Sequence, residues 1–418
     1  MTTAEIIAVG SELLGATRLD TNSLFITRML ASLGIRVRAK AVVGDDRALL
    51  RDLFALALGR VDLVVLTGGL GPTDDDLTRE AVTEALNIRL VEDPAITARI
   101  RERFERRGLA MPEINRKQAR VPRGARVLLN PRGTAPGLWI EHPGGRLLLV
   151  PGPPGDMRPM VDEWCASEGP ALAGGLCLAT RVLKVANRAE SHVEEIAQPV
   201  YTRWRDAPVP ISTTILAAPG QIELHLTATA PRRDEAETAL AQAVAELASR
   251  LGMDVFTTTG QSLEEVVGER LLAAGATIAV GESCTGGLIA SRLTDVPGSS
   301  AYMLGGAVAY SNAAKTIVLD VPSPLIDAHG AVSEVVAVAM ADGARLRFGA
   351  SIGIGVTGIA GPGGGTPEKP VGTVALAVSS ERREARVLTY LFRGGRGQIK
   401  FQAAQAALDQ VRRLLMDR

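Results

Sequence analysis

Val61-Asp62-Leu63-Val64-Val65-Leu66-Thr67-Gly68-Gly69-Leu70-Gly71-Pro72-Thr73-Asp74-Asp75-Asp76-Leu77-Thr78-Arg79-Glu80 sets the architecture of the first part of this chain. Residues 61–67 form a continuous apolar run, as in a strand buried on both faces. Glycines then turn the chain, and the acidic cluster 74–76 reads as the start of a helix. The preceding segments agree. Residues 5–9 are a short apolar run, 21–33 carry helical periodicity and stop at Gly34, 35–43 alternate, and 48–58 are helical again. This patterning predicts a parallel sheet with helices on both faces. Ligands in such folds collect beyond the carboxyl ends of the strands, where the glycines and carboxylates of 67–80 fall. Capping and the helix dipole favour an Asp at a helix N-terminus by ~0.3–1 kcal/mol, which accounts for one or two of the three. Three consecutive Asp beside a Gly-Gly turn exceed that need. Carboxylates next to an anion-binding turn suit a divalent cation bridging to phosphate oxygens. Gly68, Gly69, Gly71, Thr73 and Thr78 are the candidate phosphate contacts, with Asp75 and Asp76 as metal candidates.

A second handover from strand to helix lies further on, at Gly281-Glu282-Ser283-Cys284-Thr285-Gly286-Gly287, between the apolar runs 277–280 and 288–293. It puts Ser283 at a helix N-terminus, whose unpaired amides can hold an oxyanion or a phosphate. Thr285, Gly286 and Gly287 are the candidate donors. Tyr310-Ser311-Asn312-Ala313-Ala314-Lys315 follows, with Asn312 expected to cap a helix and Lys315 in its first turn. A hydroxyl nucleophile needs a base, and a lysine in a partly dry site can serve. Cys284 is the rival nucleophile: a thiolate is more reactive, but a cysteine pointing into a helix–sheet core is the commoner arrangement. The third element is Thr357-Gly358-Ile359-Ala360-Gly361-Pro362-Gly363-Gly364-Gly365-Thr366. Glycines this dense let backbone amides approach an anion, although the loop is neither a Walker loop nor a dinucleotide fingerprint. Read singly, these are a Gly-rich turn, a surface lysine and a flexible loop; together they point to an enzyme. His329 is the only histidine after residue 225, so no Ser/His/Asp triad is readable.

Between these parts, about 175–258 reads as a small α+β unit. Residues 180–186 are a strand candidate, and 191–204 a helix opening with a capping box of Ser191 and Glu194. Residues 221–229 alternate at the period of a half-buried strand, and 235–251 form an alanine-rich helix ending at Gly252. His192 and His225 are assigned structural roles. Ser262 and Glu265 form a further capping box that opens the last domain.

At 418 residues, two or three domains are expected. The 46 Lys and Arg balance 46 Asp and Glu, which argues against a nucleic-acid or anionic-membrane footprint. Three cysteines make neither a disulfide framework nor a metal quartet, and fit a cytoplasmic setting. No basic leader opens the chain and no apolar run reaches ~18 residues, so neither a signal peptide nor a membrane span is expected. A homodimer is the base-rate expectation.

Residues 262–418 resemble the PncC-type amidohydrolases, which release ammonia from nicotinamide mononucleotide. The resemblance rests on Glu282–Gly287, Gly305-Gly306, Tyr310-Ser311-Asn312, Lys315, 330–334, the loop 357–365 and Lys369-Pro370-Val371-Gly372-Thr373. It implies Ser283 as nucleophile, with Lys315 and Tyr310 handling protons and no cofactor. Thr357, Gly358, Gly361, Gly364 and Arg396 join the substrate-binding candidates. Gly394-Gly395-Arg396 stands where similar proteins tend to carry Gly-Asp-Arg, which removes an acid beside Arg396.

Residues 67–80 resemble the molybdopterin-binding fold of MogA and MoaB proteins. The whole of 1–170 is closer still to the N-terminal domain of CinA proteins, through 10–15, Thr21-Asn22, 43–46, 115–119, Asn130, 133–137 and 151–154. The resemblance implies metal-dependent cleavage of ADP-ribose at its pyrophosphate, with Asp76 and Asp45 as the acidic positions and Mg, Mn or Co as the metal. Ser11 stands where many relatives have Asp, and Asp156 where many have Glu. Residues 187–191 resemble the KH-like linker of CinA proteins, but no GXXG loop with basic flanks is present, so it reads as a connector without nucleic acid.

The expected fold is thus α/β: a doubly wound MogA/MoaB-like domain over 1–172, a KH-like α+β connector over 173–258, and an α/β amidohydrolase domain over 259–418. The expected function is a bifunctional pyridine-nucleotide recycling hydrolase. The alternative is a competence- or repair-associated adaptor whose N-terminal domain binds a nucleotide or pterin without turnover.

Overall fold

The computed structural model describes residues 1–381 and 383–416. The chain forms two compact units, Met1–Ala179 with Thr229–Glu237, and Thr180–Ala228 with the chain from Thr238 onward.

The first unit runs β1 (Thr3–Val9), α1 (Asn22–Ser32), β2 (Arg36–Val43), α2 (Arg47–Leu58), β3 (Leu63–Thr67), α3 (Thr78–Leu86), β4 (Leu90–Glu92), α4 (Pro94–Glu105), β5 (Arg120–Pro122), β6 (Arg126–Leu128), β7 (Gly137–His142), β8 (Gly145–Val150), α5 (Pro154–Ser167) and α6 (Gly169–Leu172). Its main sheet has the order β2-β1-β3-β8-β7-β6. The first four strands are parallel. β7 and β6 extend the sheet antiparallel, because a tight turn joins β7 to β8 and a hairpin cannot be parallel. The sheet is therefore mixed where the sequence pattern predicts a parallel one. Alternation along the strands separates two cores. Ile6, Leu63, Val65 and Leu148 pack with Leu30 of α1 and with Met160 and Trp164 of α5. Ile7, Val64, Leu66 and Leu147 pack with Phe54 of α2 and Val82 of α3. Each fully buried side chain of this size contributes ~1.5–3 kcal/mol.

The middle elements, β9 (Cys177–Ala186), α7 (Glu190–Tyr201), β10 (Ile211–Ala218), β11 (Gln221–Ala230), α8 (Arg233–Leu251) and β12 (Val255–Thr257), fall for the most part in the second unit, and their strands form a sheet of order β10-β11-β9-β12. β11 alternates between buried and half-buried residues throughout, as its sequence predicts. α7 starts at Glu190 with Ala189 at the N-cap, so the Ser191 capping box does not form.

There follow α9 (Leu263–Ala273), β13 (Ile278–Glu282), α10 (Leu288–Thr294), β14 (Met303–Val308), α11 (Asn312–Leu319), α12 (Ser323–His329), α13 (Glu334–Phe348), β15 (Ile352–Gly358), β16 (Thr373–Ser380), β17 (Arg383–Leu391) and α14 (Arg396–Met416). The Ser262–Glu265 capping box opens α9 as predicted. The sheet order is β14-β13-β15-β16-β17, parallel over the first three strands and antiparallel over the rest. Ile278, Val280, Ile354 and Val356 face Leu271 of α9 and Leu408 of α14, whereas Ala279 faces Met340 and Ala344 of α13. α13 lies unusually close to the sheet: a Cβ on Gly353 or Gly355 would stand 2.0 or 2.1 Å from the Ala341 and Ala337 carbonyl oxygens. Within this same unit, buried Asp409 of α14 accepts from Arg412 Nε and Arg413 Nε, both at 2.8 Å, and Arg412 Nη2 donates to the Met253 carbonyl at 2.6 Å, tying α14 to the chain entering β12.

Candidate active sites

In the first unit the chain leaves β1 for β2 on one side and reaches β3 on the other. A crevice opens at that switch point, beyond the strand ends. It is a cavity of about 730 Å³ whose wall includes Val9, Thr67, Gly68, Gly69 and Gly152. A Cβ on Gly68 would stand 2.1 Å from the Val9 carbonyl oxygen, so only glycine lets these strand ends close.

The loop between β3 and α3 is rigidly braced. Asp76 Oδ1 accepts from the Gly71 amide at 2.7 Å, and Oδ2 accepts from the Thr73 amide at 2.9 Å and the Thr73 hydroxyl at 2.6 Å. Buried Thr78 donates its hydroxyl to the Gly68 carbonyl at 2.8 Å. Fully buried Arg79, held below the usual arginine range by desolvation, donates to the Leu70 and Gly71 carbonyls at 2.8 and 2.9 Å. Three expectations change accordingly. Thr73 and Thr78 direct their hydroxyls into the loop, not at a ligand. Asp76 organises the turn. The helix starts at Thr78, after the acidic cluster, and no side chain caps it. Arg79, which carried no expectation, is the brace. Its sequence signal is an arginine among residues that must be buried for α3 to pack.

Glu12, Asp20, Asp45, Asp75, Asp76 and Asp156 all reach the cavity wall. Asp45 Oδ2 accepts from the Ser11 amide at 2.8 Å, and the Asp45 amide donates to Ser11 Oγ at 3.0 Å, so Ser11 takes a structural place there. Asp75 is held below the usual carboxylate range, first by the Thr73 hydroxyl. Asp156 accepts from Asn130 Nδ2 at 2.9 Å. Among the described residues no three His, Cys, Asp or Glu side chains converge as a metal-holding group. The turn uses three of the four acceptor sites of the Asp76 carboxylate, two on Oδ2 and one on Oδ1, which leaves one for a cation.

In the second unit the parallel strands β14, β13 and β15 present their carboxyl ends together. Ser283 follows β13 directly, and its amide donates to the Val356 carbonyl at 2.9 Å, pinning it to β15. Lys315 stands in the first turn of α11, which Ser311, not Asn312, caps through the Ala314 amide at 3.1 Å. Lys315 Nζ lies 3.0 Å from Ser283 Oγ and donates to the Ala309 and Tyr310 carbonyls at 3.1 and 3.4 Å. Lys315 is 1% exposed and Ser283 7%. None of the three partners on Nζ is charged, and burial pushes the Lys315 ammonium below its ordinary range. A neutral amine has two N–H groups and one lone pair, which matches two carbonyls and one hydroxyl. Cys284 is buried, and desolvation pushes its thiol up to about 11, so it stays protonated while Ser283 faces the base.

The helix amides expected to bind an anion are already taken. Buried Glu282 accepts from Gly287 at 2.9 Å, Ile289 at 3.2 Å and Ala290 at 2.9 Å. The Gly286 amide donates to the Ser283 carbonyl at 3.1 Å. Gly286 and Gly287, at φ +61° and +90°, therefore shape the turn rather than hold a ligand. The amides of Cys284 and Thr285 point at the Cys284 sulfur, a weak acceptor, and among the described residues have no backbone acceptor, so they are the turn's donors most easily redirected. The buried Thr285 hydroxyl has no protein partner. Glu282 was missed by sequence reasoning. The available signal is a lone acid ending an apolar strand, a position that demands paired donors.

Around the rim, the Thr357 hydroxyl donates to the Ala331 carbonyl at 2.8 Å and is structural. Gly361 and Gly364, at φ +76° and +86°, bend the Gly-rich loop. Gly358, at the end of β15, has no room for a side chain, since a Cβ would meet the Thr373 carbonyl oxygen at 2.9 Å. Arg396 donates to the Gly361 carbonyl at 2.8 Å and to the Tyr310 hydroxyl at 2.7 Å, which fixes its pose despite the missing acid at 395. The Tyr310 phenol is thereby at the rim, in a side chain 59% exposed, and only its backbone carbonyl meets Lys315. The expected proton-handling role of the Tyr310 side chain is not supported.

Among the described residues no helix is long and apolar enough to cross a membrane. Family models described as "Probable molybdopterin binding domain", "Damage-inducible protein CinA KH domain" and "CinA C-terminal domain" match residues 5–172, 180–257 and 260–415. A CinA-like protein of Koribacter versatilis is 45% identical over 417 residues, covering 99% of this chain and 100% of its own. A CinA-like protein of Acidobacterium capsulatum is 47% identical over 420 residues, with the same coverage. A crystal structure of the protein CinA, of unknown function, from Thermoplasma acidophilum is 34% identical, covering 39% of this chain and 96% of that one, with a TM-score of 0.37. With three domain matches in order and relatives aligned from end to end, the chain belongs to the CinA family.

Proposed function

We propose that the Ser283 site hydrolyses the carboxamide of nicotinamide mononucleotide, giving ammonia and nicotinic acid mononucleotide. The observation that carries this reading is the buried Lys315–Ser283 pair at 3.0 Å. Neutral Lys315 takes the Ser283 hydroxyl proton as Oγ attacks the carboxamide carbon. The C=O electrons move onto oxygen, where the Cys284 and Thr285 amides can stabilise the charge. The tetrahedral centre collapses, the C–N bond breaks, and the Lys315 ammonium returns the proton to nitrogen, so ammonia leaves. Water, deprotonated by Lys315, then cleaves the acyl–Ser283 ester and restores both groups. The test is ammonia release from nicotinamide mononucleotide by wild type and Ser283→Ala, each with and without EDTA. Chelator-insensitive release that the substitution abolishes supports the reading; equal release by both proteins refutes it.

For the first unit we propose binding of a phosphorylated nucleotide in the 730 Å³ cavity, with ADP-ribose as the ligand and its pyrophosphate as the bond hydrolysed. A cleft at a switch point with a Gly-Gly turn supports binding. The engaged state of Asp76 favours a second reading, in which this cavity binds without turnover. A divalent ion, if used, would arrive with the substrate phosphates and meet Asp45, Asp75 and Asp156 on the wall. Phosphate release from ADP-ribose after added phosphatase, with and without chelator, separates the two.

A further inference from the structure

If the Ser283 site takes a nucleotide, the phosphate must be neutralised, and the turn expected to do so is closed. The amides of Gly286, Gly287, Ile289 and Ala290 and the hydroxyl of Thr357 all have protein partners.

α14 offers an alternative. Arg396 opens this helix and Lys400 follows one turn later, at the spacing that places two side chains on one face. Among the described residues Arg396 hydrogen-bonds only the neutral Gly361 carbonyl and Tyr310 hydroxyl and forms no ion pair. Lys400 is half-buried and, among the described residues, forms no ion pair or hydrogen bond. Its Nζ would lie 3.4 Å, and its Cε 3.9 Å, from a Cβ on Gly286. The ammonium therefore rests over Gly286, three residues from the nucleophile, where the bare glycine leaves room for it. Two like charges at this spacing, one at a helix N-terminus and with no acid in the first turn, run against both the pair rule and the helix dipole. A local rule broken without local compensation marks a place where the compensation is a ligand.

We infer that Lys400, acting with Arg396, receives the phosphate of the substrate, making this site specific for a 5′-phosphorylated nucleotide over its nucleoside. The inference rests on the amide-hydrolysis reading of the same site. Lys400 touches the non-reacting end of the substrate, so its effect is on binding and on discrimination.

The experiment compares wild type, Lys400→Met and Lys400→Arg for ammonia release from nicotinamide mononucleotide and from nicotinamide riboside, which has the same carboxamide and no phosphate. Lys400→Met should lower kcat/KM for the mononucleotide ~10–100-fold, chiefly through KM, and leave the riboside rate unchanged. Lys400→Arg should restore most of the loss. An equal loss on both substrates, or no loss on the mononucleotide, overturns the inference. If wild type releases ammonia from neither compound, the hydrolysis reading fails separately, and calorimetry still decides Lys400. Mononucleotide binding to Ser283→Ala must then weaken by the same factor on adding Lys400→Met; unchanged binding overturns the inference. Unchanged thermal unfolding of Lys400→Met excludes a folding defect as the cause.

Discussion

Replacing Glu282 by Gln should damage the second unit out of proportion to the size of the change. In the wild type, Oε2 accepts from Gly287 and Ile289 and Oε1 accepts from Ala290, all in a buried setting. The amide keeps the shape and one acceptor, so two bonds become neutral and the third becomes an N–H facing an N–H. A charged acceptor contributes ~1.5–3 kcal/mol per hydrogen bond against ~1 for a neutral one, and a stranded buried donor costs ~1–3. The net loss is ~2–7 kcal/mol, a large fraction of the ~5–15 kcal/mol that holds a domain folded. For a unit of this size each kcal/mol lowers Tm by ~2–4 °C, so calorimetry should show one transition falling by ~4–28 °C. Hydrogen exchange should locate the loss at Gly287, Ile289 and Ala290, and ammonia release should fall because Ser283 rides on the same turn. A transition within ~1 °C of wild type, with unchanged exchange at those three amides, would refute the reasoning. Those amides would then be free to bind substrate, and the assignment of the oxyanion to Cys284 and Thr285 would lose its basis.

In the proposed reaction Lys315 is the neutral base, and burial lowers its pKa from the ordinary 10.5, so kcat/KM should rise with pH along a limb centred below that value and fall as the ammonium forms at lower pH. Lys315→Arg, permanently protonated, should remove the limb and cost ~10²–10⁴ in rate; a pH–rate profile with the limb intact would exclude Lys315 as the base. In the first unit, Asp76→Ala should weaken ADP-ribose binding about tenfold even in EDTA, because it releases the Gly71 and Thr73 amides that shape the turn. A loss seen by titration calorimetry only when a divalent ion is present would instead make Asp76 a metal ligand.

Both strand-to-helix handovers are legible in the sequence, because an apolar run followed by a glycine turn has few alternative structures. The same holds for the pairing of Ser283 with Lys315: topology brings the ends of adjacent parallel strands together, and each residue lies just past one of them. What the sequence hides is which hydrogen-bonding groups are still vacant after folding. Glu282 and Asp76 read as bystander and metal ligand because a carboxylate's partners are amides, and an amide leaves no mark on residue identity. The proton-handling role that the resemblance implies for Tyr310 depends on where its side chain points, which residue identity does not reveal: its carbonyl meets Lys315 and its hydroxyl meets Arg396. The antiparallel extensions of both sheets leave no mark either, since the buried antiparallel strands β7 and β16 carry the same kind of apolar run as the buried parallel strands.

The bare contact between α13 and β15 has a consequence for motion. With Ala337 and Ala341 carbonyls lying where Gly355 and Gly353 would carry side chains, the contact of α13 with β15 has no side-chain cushion to deform at these two positions. A contact without slack cannot slide or tilt by small rotamer adjustments, so any opening of the Ser283 site is expected to come from the front: the Gly-rich loop and the opening turn of α14, joined there by Arg396. On this reasoning Ser283 and Lys315 sit on the stationary side, and the side chains proposed to hold the ligand sit on the side expected to move.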